Sequence, residues 1–272
     1  MIGGPPEQNK GEKINREVIV MAITLAIAGK GGTGKTTLAA LLIRQLIRAK
    51  KGPVLAVDAD ANANLNEALG IEIEDTIAEM LARINNNLEP LPAGMTKDQY
   101  VSYRVHQSLA EGDDFDLLVM GGPEGPGCYC YANNLLKGFM QQLAGNYPYV
   151  VMDNEAGLEH LSRRTTSDVD ILFVTSDPSA RGIRSAGRIK QLVESLNLDV
   201  KKIYLVLSKA TNGAAEALQE EIARTGLELI GAVPLNDQVA EYDLHSRPLL
   251  ALPDSSPVVA AVTGVMHKAA IL

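Results

Sequence analysis

The sequence predicts an α/β fold, a mostly parallel sheet with helices on both faces. Three observations carry this expectation. Residues 22–28, 54–57, 115–120, 149–152, 171–175, 203–207 and 229–233 form short apolar runs. They are continuous rather than alternating, as strands covered on both faces must be. Between them lie stretches of helical periodicity, the crossovers that parallel neighbours need. The first run leads through a glycine-rich turn straight into a helical pattern over residues 37–50. With 46% hydrophobic residues in a 272-residue chain, one full domain core is within reach.

In chain order, residues 1–20 are polar and hold prolines and glycines, and Met21 directly precedes the first strand. They are read as a disordered tail or an over-extended start, with the domain running over residues 21–272. The turn after the first strand is Gly29-Lys30-Gly31-Gly32-Thr33-Gly34-Lys35-Thr36, followed by Thr37. Its spacing is that of a phosphate-binding loop. The backbone must curl with several N–H groups pointing inward, which glycine permits, and the helix that follows adds its positive end. Lys35 then meets the phosphates and the Thr36 hydroxyl a magnesium ion.

The second strand runs into Asp58-Ala59-Asp60-Ala61-Asn62-Ala63-Asn64-Leu65, a carboxylate- and amide-rich segment beside the terminal phosphate. Residues 85–97, with Pro90, Pro92 and Gly94, read as a surface excursion between two helices. The run at 149–152 ends in Asp153, an apolar strand closed by an aspartate that accepts from magnesium-bound water. Asn154-Glu155-Ala156-Gly157 follows, and Glu155, His160, Arg163 and Arg164 read as a solvated helix face. Over residues 185–196, Ile189, Leu192, Val193 and Leu196 form one helical stripe, read as core. Ser208-Lys209 and Pro234-Leu235-Asn236 close the last two strands at their carboxyl ends, where ligands are expected.

Lys30 adds a second lysine to the loop, and with it the segment is a deviant Walker A motif. Here the sequence resembles the dimerising P-loop ATPases, which include septum-site and plasmid-partition ATPases, nitrogenase iron protein and metal-cluster maturation factors. The resemblance implies an ATP-hydrolysing homodimer using ATP/ADP and Mg2+, with Lys30 reaching the partner's nucleotide. It implies that Asp60 polarises the attacking water, that Asp58 supports the magnesium shell, and that Ala156-Gly157 begins a second switch. Lys30, Lys35, Asp60 and Asp153 would then be catalytic. Pro234 and Leu235 match a base-contacting loop of the family, whereas Ser208-Lys209 replaces an asparagine usual in relatives.

The two cysteines of the chain are Cys128 and Cys130, separated by Tyr129. A disulfide across one residue is strained, whereas two thiolates on one turn can chelate a metal ion. They supply half of a four-coordinate shell. In the homodimer that the resemblance implies, a twofold axis can supply the rest, giving a four-sulfur site for nickel or zinc; the alternative is two buried structural cysteines. With Gly127-Cys128-Tyr129-Cys130, residues 153–164 and Ala240-Glu241-Tyr242-Asp243, the match narrows to the CooC-type nickel-insertion ATPases. That resemblance implies carbon monoxide dehydrogenase or acetyl-CoA synthase as client.

A nitrogenase-reductase-like electron carrier would need cysteines from two separated segments. The other reading is a positioning or partition ATPase without metal, but residues 255–272 are apolar, with only His267 and Lys268 charged or titratable rather than a basic amphipathic face. The net charge of −8 disfavours a nucleic-acid surface. No run reaches the roughly 20 apolar residues of a membrane span. The expectation is a cytoplasmic protein binding neither nucleic acid nor membrane.

Overall fold

The computed structural model describes residues 22–122, 143, 145–155 and 169–272. Among them eight strands form one sheet: β1 (Ile23–Gly29), β2 (Val54–Ala59), β3 (Ala110–Glu111), β4 (Phe115–Val119), β5 (Tyr149–Asn154), β6 (Val169–Ser176), β7 (Val200–Ala210) and β8 (Glu228–Pro234). Their order is β3-β4-β2-β5-β1-β6-β7-β8. Only β3 runs antiparallel to its neighbour. The two-residue β3 was not foreseen, because no apolar run that short is distinguishable from a loop.

The helices are α1 (Lys35–Arg48), α2 (Leu65–Leu69), α3 (Ile77–Asn85), α4 (Lys97–Gln107), α5 (Ala180–Ser195), α6 (Ala214–Ala217), α7 (Gln219–Thr225), α8 (Asp237–Leu244) and α9 (Pro257–Lys268). Period-two alternation divides the sheet between two cores. Leu25 and Ile27 of β1 and Val54 and Ala56 of β2 join α1 and α9 in one core. Ala26, Ala28, Leu55 and Val57 join α3, α4, α5 and α7 in the other. Helices therefore cover both faces, as the continuous apolar strands required.

Register sets the site. Asp58 of β2 pairs with Asp153 of β5, and Gly29 of β1 with Thr175 of β6. Because β1 lies between β5 and β6, the glycine-rich loop emerges at the carboxyl edge of the sheet between Asp153 on one side and Thr175 on the other, with Asp58 one strand further out.

The excursion between α3 and α4 falls as expected, and capping boxes Thr76–Glu79 and Thr96–Gln99 start the two helices. The stripe assigned to α5 is corrected in part. Val193 is buried and Ile189 packs against the core, whereas Leu192 and Leu196 are 40% and 43% exposed, and Gly182, Ile183, Ala186 and Gly187 complete the inner face. The helix begins earlier than the apolar pattern, at a Ser179 cap that accepts from the Gly182 N–H. Its small residues bring it onto α7, where a Cβ on Gly187 would lie 2.9 Å from Thr225.

Arg44 of α1 is buried, donating to the carbonyls of Leu250 and Leu252 and to Asp254 at 2.5 Å. The apolar residues of α9, Val258, Val259, Val262, Val265 and Met266, are buried within the fold. Among the described residues no helix is long and apolar enough to cross a membrane.

Candidate active site

The loop between β1 and α1 is held open by its own residues. Thr33 donates to the Lys30 carbonyl at 2.7 Å and shares a hydrogen bond with Thr175 at 2.8 Å. Gly29 lies so close to Thr175 that a Cβ would sit 2.3 Å from its hydroxyl. Gly32 and Gly34 adopt φ of 78° and 77°, the left-handed turns that let the N–H groups converge. Above Gly31 and Gly32 the space is empty for 4 Å. Lys35 is only 8% exposed, whereas Lys30 stands at the exposed crest.

Thr36 donates to Asp153 Oδ2 at 2.5 Å, while the buried Asp153 Oδ1 has no hydrogen-bond partner among the described residues. A hydroxyl and an unsatisfied carboxylate oxygen beside a phosphate loop suit a hard cation such as Mg2+. Burial pushes the Asp153 carboxyl up to about 7; the Thr36 hydrogen bond opposes this and the neighbouring Asp58 charge adds to it. A cation at this position would favour the ionised form.

Asp58, expected to support the magnesium shell, is anchored by backbone hydrogen bonds. Its oxygens accept from the backbone N–H groups of Asp60 at 3.0 Å and Leu65 at 2.8 Å, so it braces the turn ahead of α2. Burial raises its pKa against those bonds. Within the braced turn Asp60 is half-buried and accepts from the Asn62 N–H and side-chain amide. Ala63 takes φ 48°, a strained conformation for a residue with a Cβ.

These elements open onto one cleft of about 610 Å³. Of the residues expected from sequence, Gly31, Gly32, Gly34, Lys35, Thr36, Thr37, Asp60, Ser208, Lys209, Pro234 and Leu235 line it. Gly29 and Thr33 brace the loop from beneath, and Asp153 reaches the cleft through Thr36. Lys209, in a left-handed conformation of φ 54°, donates to the Gly32 carbonyl at 2.9 Å and ties the end of β7 to the loop. Glu155, expected on a solvated helix face, also lines the cleft.

Sequence reasoning missed three contributors. Asn154 donates to the Ile27 carbonyl at 2.9 Å, fixing β5 against β1. Thr175 supports the loop, and Asp243 of α8 lines the far end of the cleft. A polar residue at the last turn of an apolar strand was the available signal for the first two. Cys128, Cys130, Ala156-Gly157, His160, Arg163 and Arg164 lie outside the described residues.

Fold and loop together define a P-loop nucleotide hydrolase. Residues 24–249 match the CbiA family, the CobQ/CobB/MinD/ParA nucleotide binding domain, and the chain belongs to it. An uncharacterised ATP-binding protein of Methanocaldococcus jannaschii is 44% identical over 246 residues, covering 90% of this chain and 97% of the relative. The carbon monoxide dehydrogenase accessory protein CooC of Rhodospirillum rubrum is 27% identical, covering 80% of this chain and 86% of its own. Among solved structures, the septum site-determining protein MinD of Pyrococcus horikoshii, complexed with Mg-ADP, superposes with a TM-score of 0.66 at 19% identity. That match covers 92% of this chain and 96% of the other. The protein is thus a nucleotide-hydrolysing ATPase of the MinD/ParA-like class.

Proposed function

We propose that this protein is a dimeric, ATP-driven metal-insertion factor that loads nickel into carbon monoxide dehydrogenase or acetyl-CoA synthase. Lys35 and the loop amides bind the phosphates, and Thr36 and Asp153 hold Mg2+, which neutralises charge developing on the phosphates. Asp60 orients and polarises the attacking water. Lys30, exposed at the loop crest, reaches the nucleotide of a second copy, so that binding ATP and closing the dimer are one event. Cys128 and Cys130 of both copies share one nickel or zinc ion across the twofold axis. Residues 21–272 form the ATPase domain of a cytoplasmic protein, preceded by a tail.

One contact supports the coupling of ATP to metal. At the exit of β4, a Cβ on Gly122 would lie 3.2 Å from the Cβ of Ala61, next to Asp60. The chain leading towards Cys128 therefore leaves the sheet against the turn that must respond to the terminal phosphate. Similarity to the CooC accessory protein supports the client class. The fold likeness to MinD favours a second reading, a positioning or partition ATPase without metal.

Metal titration separates the two. Nickel and, separately, zinc are added to nucleotide-free protein and to ATP-loaded Asp60→Asn protein, following thiolate-to-metal absorbance. The expected result is one ion per two chains, with affinity rising with pH as thiolates form, and lost in Cys128→Ser and Cys130→Ser. One ion per chain, or unchanged binding in either variant, would leave the metal-free switch.

A further inference from the structure

The crest of the phosphate loop carries Lys30 between Gly29 and the pair Gly31-Gly32, neighbours that have no side chains with which to hold it. Its backbone is held from beneath instead. The Lys30 carbonyl accepts from the Thr33 N–H at 3.3 Å and from the Thr33 hydroxyl at 2.7 Å. With its one proton directed there, the Thr33 oxygen is left to accept from the Thr175 hydroxyl, 2.8 Å away at the end of β6. The Ala28 carbonyl, the alternative acceptor for the Thr175 proton, is farther off at 3.3 Å. Both threonines are buried, and in such surroundings each hydrogen bond strengthens the next. A line of hydroxyls thus runs from the middle of the sheet to the peptide of one exposed lysine. Neither threonine lines the cleft, so the line does not end on bound phosphate.

Resting on the reading that Lys30 reaches the nucleotide of a second copy, we infer that Thr175 and Thr33 are positioning residues for ATP hydrolysis in the dimer, which aim Lys30 by fixing its peptide. A lysine on a long flexible stem loses rotamer freedom when it engages a distant phosphate. If its glycine-flanked backbone were also loose, that freedom too would be lost as the copies meet. Restraining the peptide within each chain beforehand removes that cost from closure. Lys35 needs no such support, because it stands in the first turn of α1 and takes its backbone from the helix. The two lysines of the loop should therefore respond differently when the hydroxyls are removed.

The test compares full-length wild type, Thr175→Ala, Thr175→Ser, Thr33→Ala and Lys30→Ala. For each, the ATP dissociation constant, the turnover rate and the dimer fraction with a non-hydrolysable ATP analogue are measured. Thr175→Ala removes the first hydroxyl without adding bulk. It should lower turnover and dimer fraction together by about five-fold or more, the equivalent of one hydrogen bond, while ATP affinity is kept. Thr175→Ser returns the hydroxyl without the methyl group and should restore both. Thr33→Ala cuts the line at its second link and should reproduce the defect, deciding the matter if Thr175→Ala does not fold. Wild-type turnover in either folded alanine variant overturns the inference. So does an equal loss of ATP affinity and turnover, which would make the threonines supports of the whole loop, and so does a Thr175→Ser protein as defective as Thr175→Ala. Wild-type turnover in Lys30→Ala would overturn the reading of Lys30 itself, and this inference with it.

Discussion

Two alanine substitutions two residues apart in the phosphate loop should fail in opposite ways. In Gly29→Ala the new Cβ would stand 2.3 Å from the Thr175 hydroxyl, 2.7 Å from the Thr175 carbonyl oxygen and 2.8 Å from the Thr33 hydroxyl. The hydroxyls bond each other, and Thr33 also donates to the Lys30 carbonyl, so neither turns away freely. The Thr175 carbonyl is backbone in the middle of the sheet and cannot turn at all. Overpacking of this kind costs about 1–3 kcal/mol, and a broken hydrogen bond adds about 1 kcal/mol. Together these lower the melting temperature on the order of 5–15 °C. Gly31 is different: a Cβ there meets nothing within 4 Å, and its φ lies outside the left-handed region. Gly31→Ala should leave the nucleotide-free fold unchanged or stabilise it by about 0.4–1 kcal/mol through the unfolded chain. It should nonetheless weaken ATP, because the methyl group enters the hollow meant for phosphate. Urea denaturation without nucleotide and ATP titration of both variants provide the readouts. A Gly29→Ala protein that melts like wild type would refute the steric argument, and a Gly31→Ala protein with undiminished ATP affinity would refute the position of the phosphates.

Lys35→Ala should abolish ATP binding, whereas Lys30→Ala keeps binding and loses hydrolysis together with dimerisation; equal loss of affinity in both would refute a role for Lys30 across the dimer. Asp60→Asn should retain ATP and accumulate a closed dimer by light scattering, and wild-type turnover would assign the water to another residue. Tyr147 donates to Asp116, and burial, then this bond, lifts its phenol above the ordinary value. A raised folded pKa contributes stability that is complete below about pH 10, the unfolded value, and is lost as pH rises beyond it. Tyr147→Phe should therefore unfold more easily at neutral pH, by about 1 kcal/mol, yet show a shallower alkaline decline in a pH series of urea melts.

Much of this was readable from residue order. A glycine-rich turn between an apolar run and a helical pattern announces itself locally, and so does an aspartate closing a strand, because backbone geometry and ligand chemistry act over a few residues. What sequence could not supply was partnership at distance. The Thr33–Thr175 bond spans most of the chain, and Asp243 comes to the cleft only because α8 packs beside α1 and α9. The bracing of the following turn by Asp58 was hidden for the same reason: its bonds to the Asp60 and Leu65 N–H groups depend on how that turn closes. The α5 stripe held for Ile189 and Val193 and failed for Leu192 and Leu196, because glycine and alanine faces are invisible to a reading that follows large apolar residues.

The buried guanidinium of Arg44 has a mechanical consequence. By holding the carbonyls of Leu250 and Leu252, it rivets the helix that carries the phosphate loop to the strap leading into α9. That side of the sheet is an anvil: nucleotide can press on it without displacing it. Movement is left to the neighbouring turn at Asp60 and Ala63, which packs on the same core as α1 and where Ala63 already holds a left-handed backbone. A hydrolysis cycle in this molecule is lopsided by construction, with the riveted helix keeping the reference position while the turn beside it keeps time.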